Sequence, residues 1–244
     1  MEQTQWKWEY QAVEAAQGNL PVIVAAAGAS SRMGGIHKQF AEIAGVPVLA
    51  RTLMALDSSR YIGSIILVVR PEDVFAAQAL VSRYLIRKVT DLIEGGSNRQ
   101  ESVKKGLDRL DQAADKVLIH DGARPFVDDV IIGQVAAALE QHPAVTCCVP
   151  VKDTIKQIDG SGKVTATPDR KHLVAVQTPQ GVWVSEYREA LQKAGDLSGF
   201  TDDMSIMEQA GYPVFTVPGN YRNLKITTAE DLRIAASLLE GEEE

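Results

Sequence analysis

The sequence predicts an α/β fold: a doubly wound, mostly parallel sheet with a projecting β-arm. Three observations predict it. Short apolar runs recur along the chain, longer stretches of helical periodicity separate them, and near residue 160 both patterns give way to polar–apolar alternation around a turn. Runs that are apolar throughout suit strands covered on both faces, as in a parallel sheet flanked by helices. Among the 244 residues, 45% are hydrophobic and 23% charged, enough apolar side chains for a sizeable core.

Residues 1–20 form an N-terminal extension with Trp6 and Trp8. It reads as an amphipathic helix docked on the domain, a partner-binding segment or a stretch outside the core, with docking favoured. A single domain is expected over 21–240. Its strands are read at 21–27 (PVIVAAA), 64–69 (SIILVV), 116–120 (KVLIH) and 144–150 (AVTCCVP). Helical periodicity covers 47–56, 71–85, 98–110 and 129–140, and the first two begin with proline, which suits a first helical turn. Ser97 with Gln100, and Thr227 with Glu230, have the spacing of a capping box; the second pair opens a last helix running to about Leu239. Residues 151–172 alternate around Asp159-Gly160-Ser161-Gly162, a hairpin turn composition. Such an arm has little core of its own, so a second copy of the chain is its expected support, giving a homodimer. The closing Gly-Glu-Glu-Glu, 241–244, is expected to be a solvated acidic tail.

Composition excludes several functions. Lys and Arg number 25 against 32 Asp and Glu, a formal charge of -7, which disfavours broad attraction to a nucleic-acid backbone. No apolar run reaches the ~18 to 20 residues of a membrane span, and Glu2 and Glu14 stand where a signal peptide is apolar. A soluble, cytoplasmic protein is expected. The two cysteines, Cys147 and Cys148, are adjacent on a strand and point to opposite faces, which excludes a disulfide framework and a cysteine zinc site.

The first strand empties into GASSRMGGIHK, residues 28–38, a loop of small residues with two cations. Backbone amides of such a loop can approach phosphate closely while Arg32 and Lys38 supply charge. It is neither a Walker loop, which ends Gly-Lys-Ser/Thr, nor a G-x-G-x-x-G dinucleotide fingerprint. Asp121 follows the run KVLIH and is placed at the carboxyl end of a strand, where ligands of open α/β sheets collect. There it could ligate a divalent cation, or cap the following turn with Arg124 as its ion-pair partner. His120, a lone histidine beside an apolar strand, is assigned no role. The glycines of GGSNRQESV precede a helix and leave amides exposed to a flat base.

The segment AAAGASSRMGGIHKQF resembles the opening signature of the cytidylyltransferases that act on 2-C-methyl-D-erythritol 4-phosphate in non-mevalonate isoprenoid synthesis. Seven further segments recur in that family's order: EGGSNRQESV, HDGARP, VKDT, Asp169-Arg170, QTPQ, Thr201-Asp202-Asp203 and NLKIT, together covering about 21 to 240. The resemblance implies a Rossmann-like nucleotidyltransferase fold and transfer of CMP from CTP to methylerythritol phosphate, releasing pyrophosphate with Mg2+ as cofactor. It implies that Arg32 and Lys38 embrace the triphosphate, and that Ala26, Ala27, Gly28, Gly96, Ser97, Ser102 and Asp121 form the nucleotide site, Asp121 also as a metal ligand. Ser97 stands where some relatives carry an acid. Arg170 and Lys225, the latter read on a strand NLKIT, would hold the acceptor phosphate with Arg124, and Thr154 would reach it from the neighbouring subunit. Ribitol 5-phosphate is the rival acceptor, and a non-catalytic nucleotide sensor is the rival of another class.

Overall fold

The computed structural model describes residues 18–28 and 39–240. The N-terminal extension up to residue 17, the loop that carries Arg32 and Lys38, and the tail 241–244 lie outside the described residues.

Among the described residues, eleven strands and seven α-helices follow one another in the order β1 Leu20–Ala25, β2 Glu42–Ile43, β3 Val46–Pro47, α1 Val48–Ser58, β4 Ile62–Val69, α2 Val74–Arg83, β5 Val89–Glu94, α3 Arg99–Leu107, β6 Lys116–Asp121, α4 Asp129–Ala138, β7 Ala144–Pro150, β8 Gln157–Ile158, β9 Val164–Ala166, β10 Val174–Trp183, α5 Val184–Ala194, α6 Asp203–Gln209, β11 Val214–Pro218 and α7 Ala229–Glu240. Seven strands form the main sheet in the order β11-β7-β10-β6-β1-β4-β5. All neighbours are parallel except β10, which runs antiparallel to both β6 and β7. The chain winds outward from β1 through β4 to β5, then returns to the other side of β1 as β6. The carboxyl ends of β1 and β6 therefore flank the point where the winding reverses, the usual ligand crevice of such sheets.

Alternation along each strand divides the core between the two faces. Val22, Val24, Leu67 and Leu118 pack under α1 and α4 with Leu49, Leu53 and Ile132. Ile23, Val68, Ile119 and Val182 pack on the other face against Val103, Leu107, Tyr187 and Met207 of α3, α5 and α6. α3 lies so close to the sheet that a Cβ on Gly106 would stand 2.6 Å from Ile23 Cγ2. A third cluster, Ile43, Val48, Ala123, Ile226 and Ala235, seats α7 beside the β2–β3 hairpin.

Local chemistry moves several expected boundaries. α3 is capped by Asn98, whose side chain accepts from Glu101 N at 2.8 Å, so Asn98 and Glu101 replace the expected pair Ser97 and Gln100. Gln100 instead donates to Phe200 O. At α7 the reciprocal pair is Thr228 and Asp231, one residue beyond Thr227 and Glu230: Thr228 N donates to Asp231 Oδ2 (2.8 Å) and Asp231 N to Thr228 Oγ1 (3.2 Å). The helix starts at Ala229, which makes Thr228 the cap. Residues 71–73 form a 3-10 turn ahead of α2. NLKIT is not a strand; it crosses as irregular backbone, tied by Ile226 N to Ala123 O at 2.8 Å.

The segment between β7 and β10 holds the antiparallel hairpin β8–β9, whose residues are exposed. Cys147 and Cys148 are buried side by side on β7. Burial pushes the Cys147 thiol up to about 12 and raises that of Cys148 as well. Ellman's reagent is therefore expected to leave both thiols untouched in the native protein and to count two after denaturation; rapid native labelling would contradict this packing.

Candidate active site

β1 and β6 end side by side, Ala25 opposite Asp121. Ala26 N still donates to Val68 O (2.8 Å), and Gln39 Nε2 donates to Ala26 O (2.7 Å), which fixes the first turn after β1. Ala27 and Gly28 then line a small cavity with Gln39, Arg99, Ser102, Asp121 and Lys225. The 95–97 turn closes one side. A Cβ on Gly95 would lie 2.8 Å from Ser102 Oγ, and Gly96 N donates to that same hydroxyl at 3.0 Å. Ser97 is held away by Glu101, whose Oε2 accepts from both Ser97 N and Oγ. Of the expected nucleotide residues, Ala27, Gly28, Ser102 and Asp121 thus meet in one cavity. Ala26 is buried behind it, and Gly96 and Ser97 form the adjacent turn.

A second, wider cavity opens on the other side of the same cluster. Arg99, Asp121, Arg124, Thr178, Gln180, Thr201, Asp202 and Lys225 are among its walls. Between Val176 and Gln180 strand β10 has a register irregularity, paired only to Cys148 and Thr146 on β7, which releases Gln177 and Thr178 from regular pairing. Thr178 Oγ1 accepts from Asp121 N (3.0 Å) and lies 3.0 Å from His120 Nδ1, while His120 Nε2 lies 3.2 Å from Arg124 O. The carbonyl partner requires a proton on Nε2, leaving Nδ1 to accept from Thr178. Burial pushes His120 down to about 4, so the ring is a neutral link holding the backbone on both sides of Asp121.

The two cavities share Arg99, Asp121 and Lys225. Lys225 Nζ stands 2.8 Å from Asp121 Oδ2, Arg124 Nε 3.5 Å from the same oxygen, and Arg99 Nε 3.1 Å from Oδ1. Burial alone would raise the carboxyl, but Arg99, Lys225 and Arg124 outweigh it and hold Asp121 far below the usual carboxylate range. The expected turn-cap pairing of Asp121 with Arg124 is thus present, together with two further cations. Arg124 Nη1 donates to Asn223 O (2.8 Å), and Asn223 Nδ2 to Thr178 O (2.8 Å), so the irregular NLKIT segment is strapped across the strand ends with Lys225 over Asp121. Arg170 and Thr154 do not line either cavity; Arg170 Nη1 donates to Lys152 O within the arm. Sequence reasoning overlooked Arg99, Thr178, Gln39 and Asp203. Each lies in a quoted motif, but only the fold brings Arg99 and Thr178 onto Asp121, Gln39 to the same cavity and Asp203 onto Arg99.

A mostly parallel sheet with a carboxylate held among three cations at its winding reversal is the architecture of α/β nucleotide-binding folds. The sequence profile of the family IspD, 2-C-methyl-D-erythritol 4-phosphate cytidylyltransferase, matches residues 20–241. A protein of that name from Geobacillus thermodenitrificans is 45% identical over 225 residues, covering 91% of this chain and 97% of the relative. Another, from Alkaliphilus metalliredigens, is 40% identical over 92% of this chain and 95% of its own. The crystal structure of 4-diphosphocytidyl-2C-methyl-D-erythritol synthase from Anaerococcus prevotii superimposes with a TM-score of 0.80 at 31% identity, covering 91% of this chain and 99% of that one. The chain belongs to the 2-C-methyl-D-erythritol 4-phosphate cytidylyltransferase family, and is thus of the nucleotidyltransferase class.

Proposed function

We propose that the chain transfers the cytidylyl group of CTP to the phosphate of 2-C-methyl-D-erythritol 4-phosphate. A phosphate oxygen of the acceptor attacks the α-phosphorus of CTP, a new P–O bond forms, the bond to the bridging oxygen breaks, and pyrophosphate leaves. The observation that carries this reading is the pair of cavities meeting on Arg99, Asp121 and Lys225. Two anionic reactants placed in them face each other across fixed positive charge, and such positioning supplies most of the acceleration in phosphoryl-type transfer. The smaller cavity takes the nucleotide, with Ala27, Gly28, Gly96 and Ser102 around the base and ribose; the wider one takes the acceptor, with Arg124 and Lys225 on its phosphate. Arg32 and Lys38 embrace the triphosphate.

Among the described residues no cluster of three His, Cys, Asp or Glu could hold a metal. Mg2+ is commonly bound by one or two carboxylates plus substrate phosphates; Asp121, the acid among the described residues on the wall of the smaller cavity, could meet it only by releasing Lys225, 2.8 Å from its Oδ2, to the acceptor phosphate. Asp121 would hold it, and the ion would neutralise triphosphate charge.

The arm completes the site in a homodimer. Arg170 and Thr154 of the partner subunit reach the acceptor, and the exposed Ile155, Ile158 and Val164 are covered by the second copy. Incubation with CTP, Mg2+ and either methylerythritol phosphate or ribitol 5-phosphate, with pyrophosphate release as the readout, tests the reading. Turnover with the first acceptor is expected; turnover with ribitol phosphate alone, or CTP binding without transfer to either, overturns it.

A further inference from the structure

The motifs QTPQ and Thr201-Asp202-Asp203 are only partly accounted for by the transfer chemistry above. With Arg99 they form one structure. Asp202 caps α6, accepting from Ser205 N at 3.0 Å, whereas Asp203 turns inward and is fully buried. Gln180 grips both: its Nε2 donates to Asp202 Oδ2 (2.8 Å) and its Oε1 accepts from Asp203 N (3.1 Å). Asp203 in turn accepts from Tyr187 Oη on Oδ1 (2.6 Å) and from Arg99 Nη1 on Oδ2 (2.7 Å). Arg99 Nε reaches Asp121 Oδ1 on its other edge. A planar guanidinium can bridge two carboxylates in this way; the point charge of a lysine cannot reproduce both fixed directions.

We propose that Arg99 is a positioning residue for the transfer: braced by Asp203 and Tyr187, it occupies one oxygen of Asp121 and so fixes the other, with Lys225 on it, at the junction of the two cavities. Unbraced, the guanidinium is free to turn toward a bound phosphate, and the carboxylate loses its orientation. Gln180 sets which of the two successive acids supplies the brace. This rests on the transferase reading of the junction.

Wild-type pyrophosphate release is measured first, and its absence with both acceptors sinks the transferase reading and this inference with it. With an active wild type, Arg99→Lys, Tyr187→Phe, Asp203→Asn and the double Arg99→Lys/Asp203→Asn are compared at a temperature well below each variant's Tm. Arg99→Lys is expected to lower kcat about 100-fold while KM for either substrate moves less than about threefold, since small misplacements act on the chemical step. Tyr187→Phe, which keeps the buried ring, should lower kcat about fivefold. The double variant should be no slower than the slower single, because the residues act as one unit. Wild-type kcat in Arg99→Lys and Tyr187→Phe, losses confined to KM, or losses that multiply in the double variant would overturn the inference. If Arg99→Lys does not fold, the kcat of Tyr187→Phe decides.

Discussion

Asp121→Asn is expected to reduce turnover at least about 100-fold, the scale seen when one charge-stabilising group is deleted from an active site. Asparagine has nearly the same shape, so the loss reports charge. In the wild-type protein one carboxylate sits among Arg99, Arg124 and Lys225 with 6% of its surface exposed. Its removal leaves three cations facing one another, two of them largely buried, and a stability loss of about 3 kcal/mol is expected from uncompensated buried charge. The two effects are separable. Urea denaturation gives the stability change, and turnover measured where the variant remains folded gives the catalytic one. A variant with wild-type kcat would remove Asp121 from the mechanism; one with unchanged stability would mean that solvent or a rearranged partner replaces the lost charge.

Two inactive variants are expected to restore activity when mixed. Lys225→Ala removes a cation from the site of its own chain, and Arg170→Ala removes one that the proposed dimer supplies from across the interface. In a heterodimer one site carries both substitutions and the other neither. After subunit exchange at equal concentrations about half of the dimers are mixed, each with one intact site, so about a quarter of wild-type activity should return. Activity that stays at the mean of the separate variants would show that Arg170 serves its own chain or serves no site at all. The position of Arg170 motivates the test: its guanidinium is spent on Lys152 O in the arm, away from the walls of both cavities.

Much of the framework is legible without coordinates. Four continuous apolar runs mark β1, β4, β6 and β7 because these strands are covered on both faces, and the placement of Asp121 at a strand's carboxyl end follows from the run before it. β5 and β11 escape that test: they are the sheet's outer strands, short, with polar residues such as Thr90, Asp91 and Thr216. β10 escapes it for another reason, since QTPQ interrupts its apolar pattern where the register breaks. Caps shift by a residue because Ser, Thr and Asn compete at adjacent positions, and only the first helical residue decides which wins. Arg99 is the instructive omission. Its partners lie 22 and 104 residues away, so its charge looks like that of any solvated first-turn arginine until the sheet has closed.

The arm leaves the body from neighbouring strands. Pro150 on β7 pairs with Val174 on β10, and Val151 N donates to Leu173 O just beyond, so the excursion closes on itself at its root. Everything distal to that closure can lengthen, shorten or change its residues while the sheet keeps its hydrogen bonds. In the proposed dimer, the segment that meets the second copy can therefore vary without disturbing the strand ends that carry Asp121.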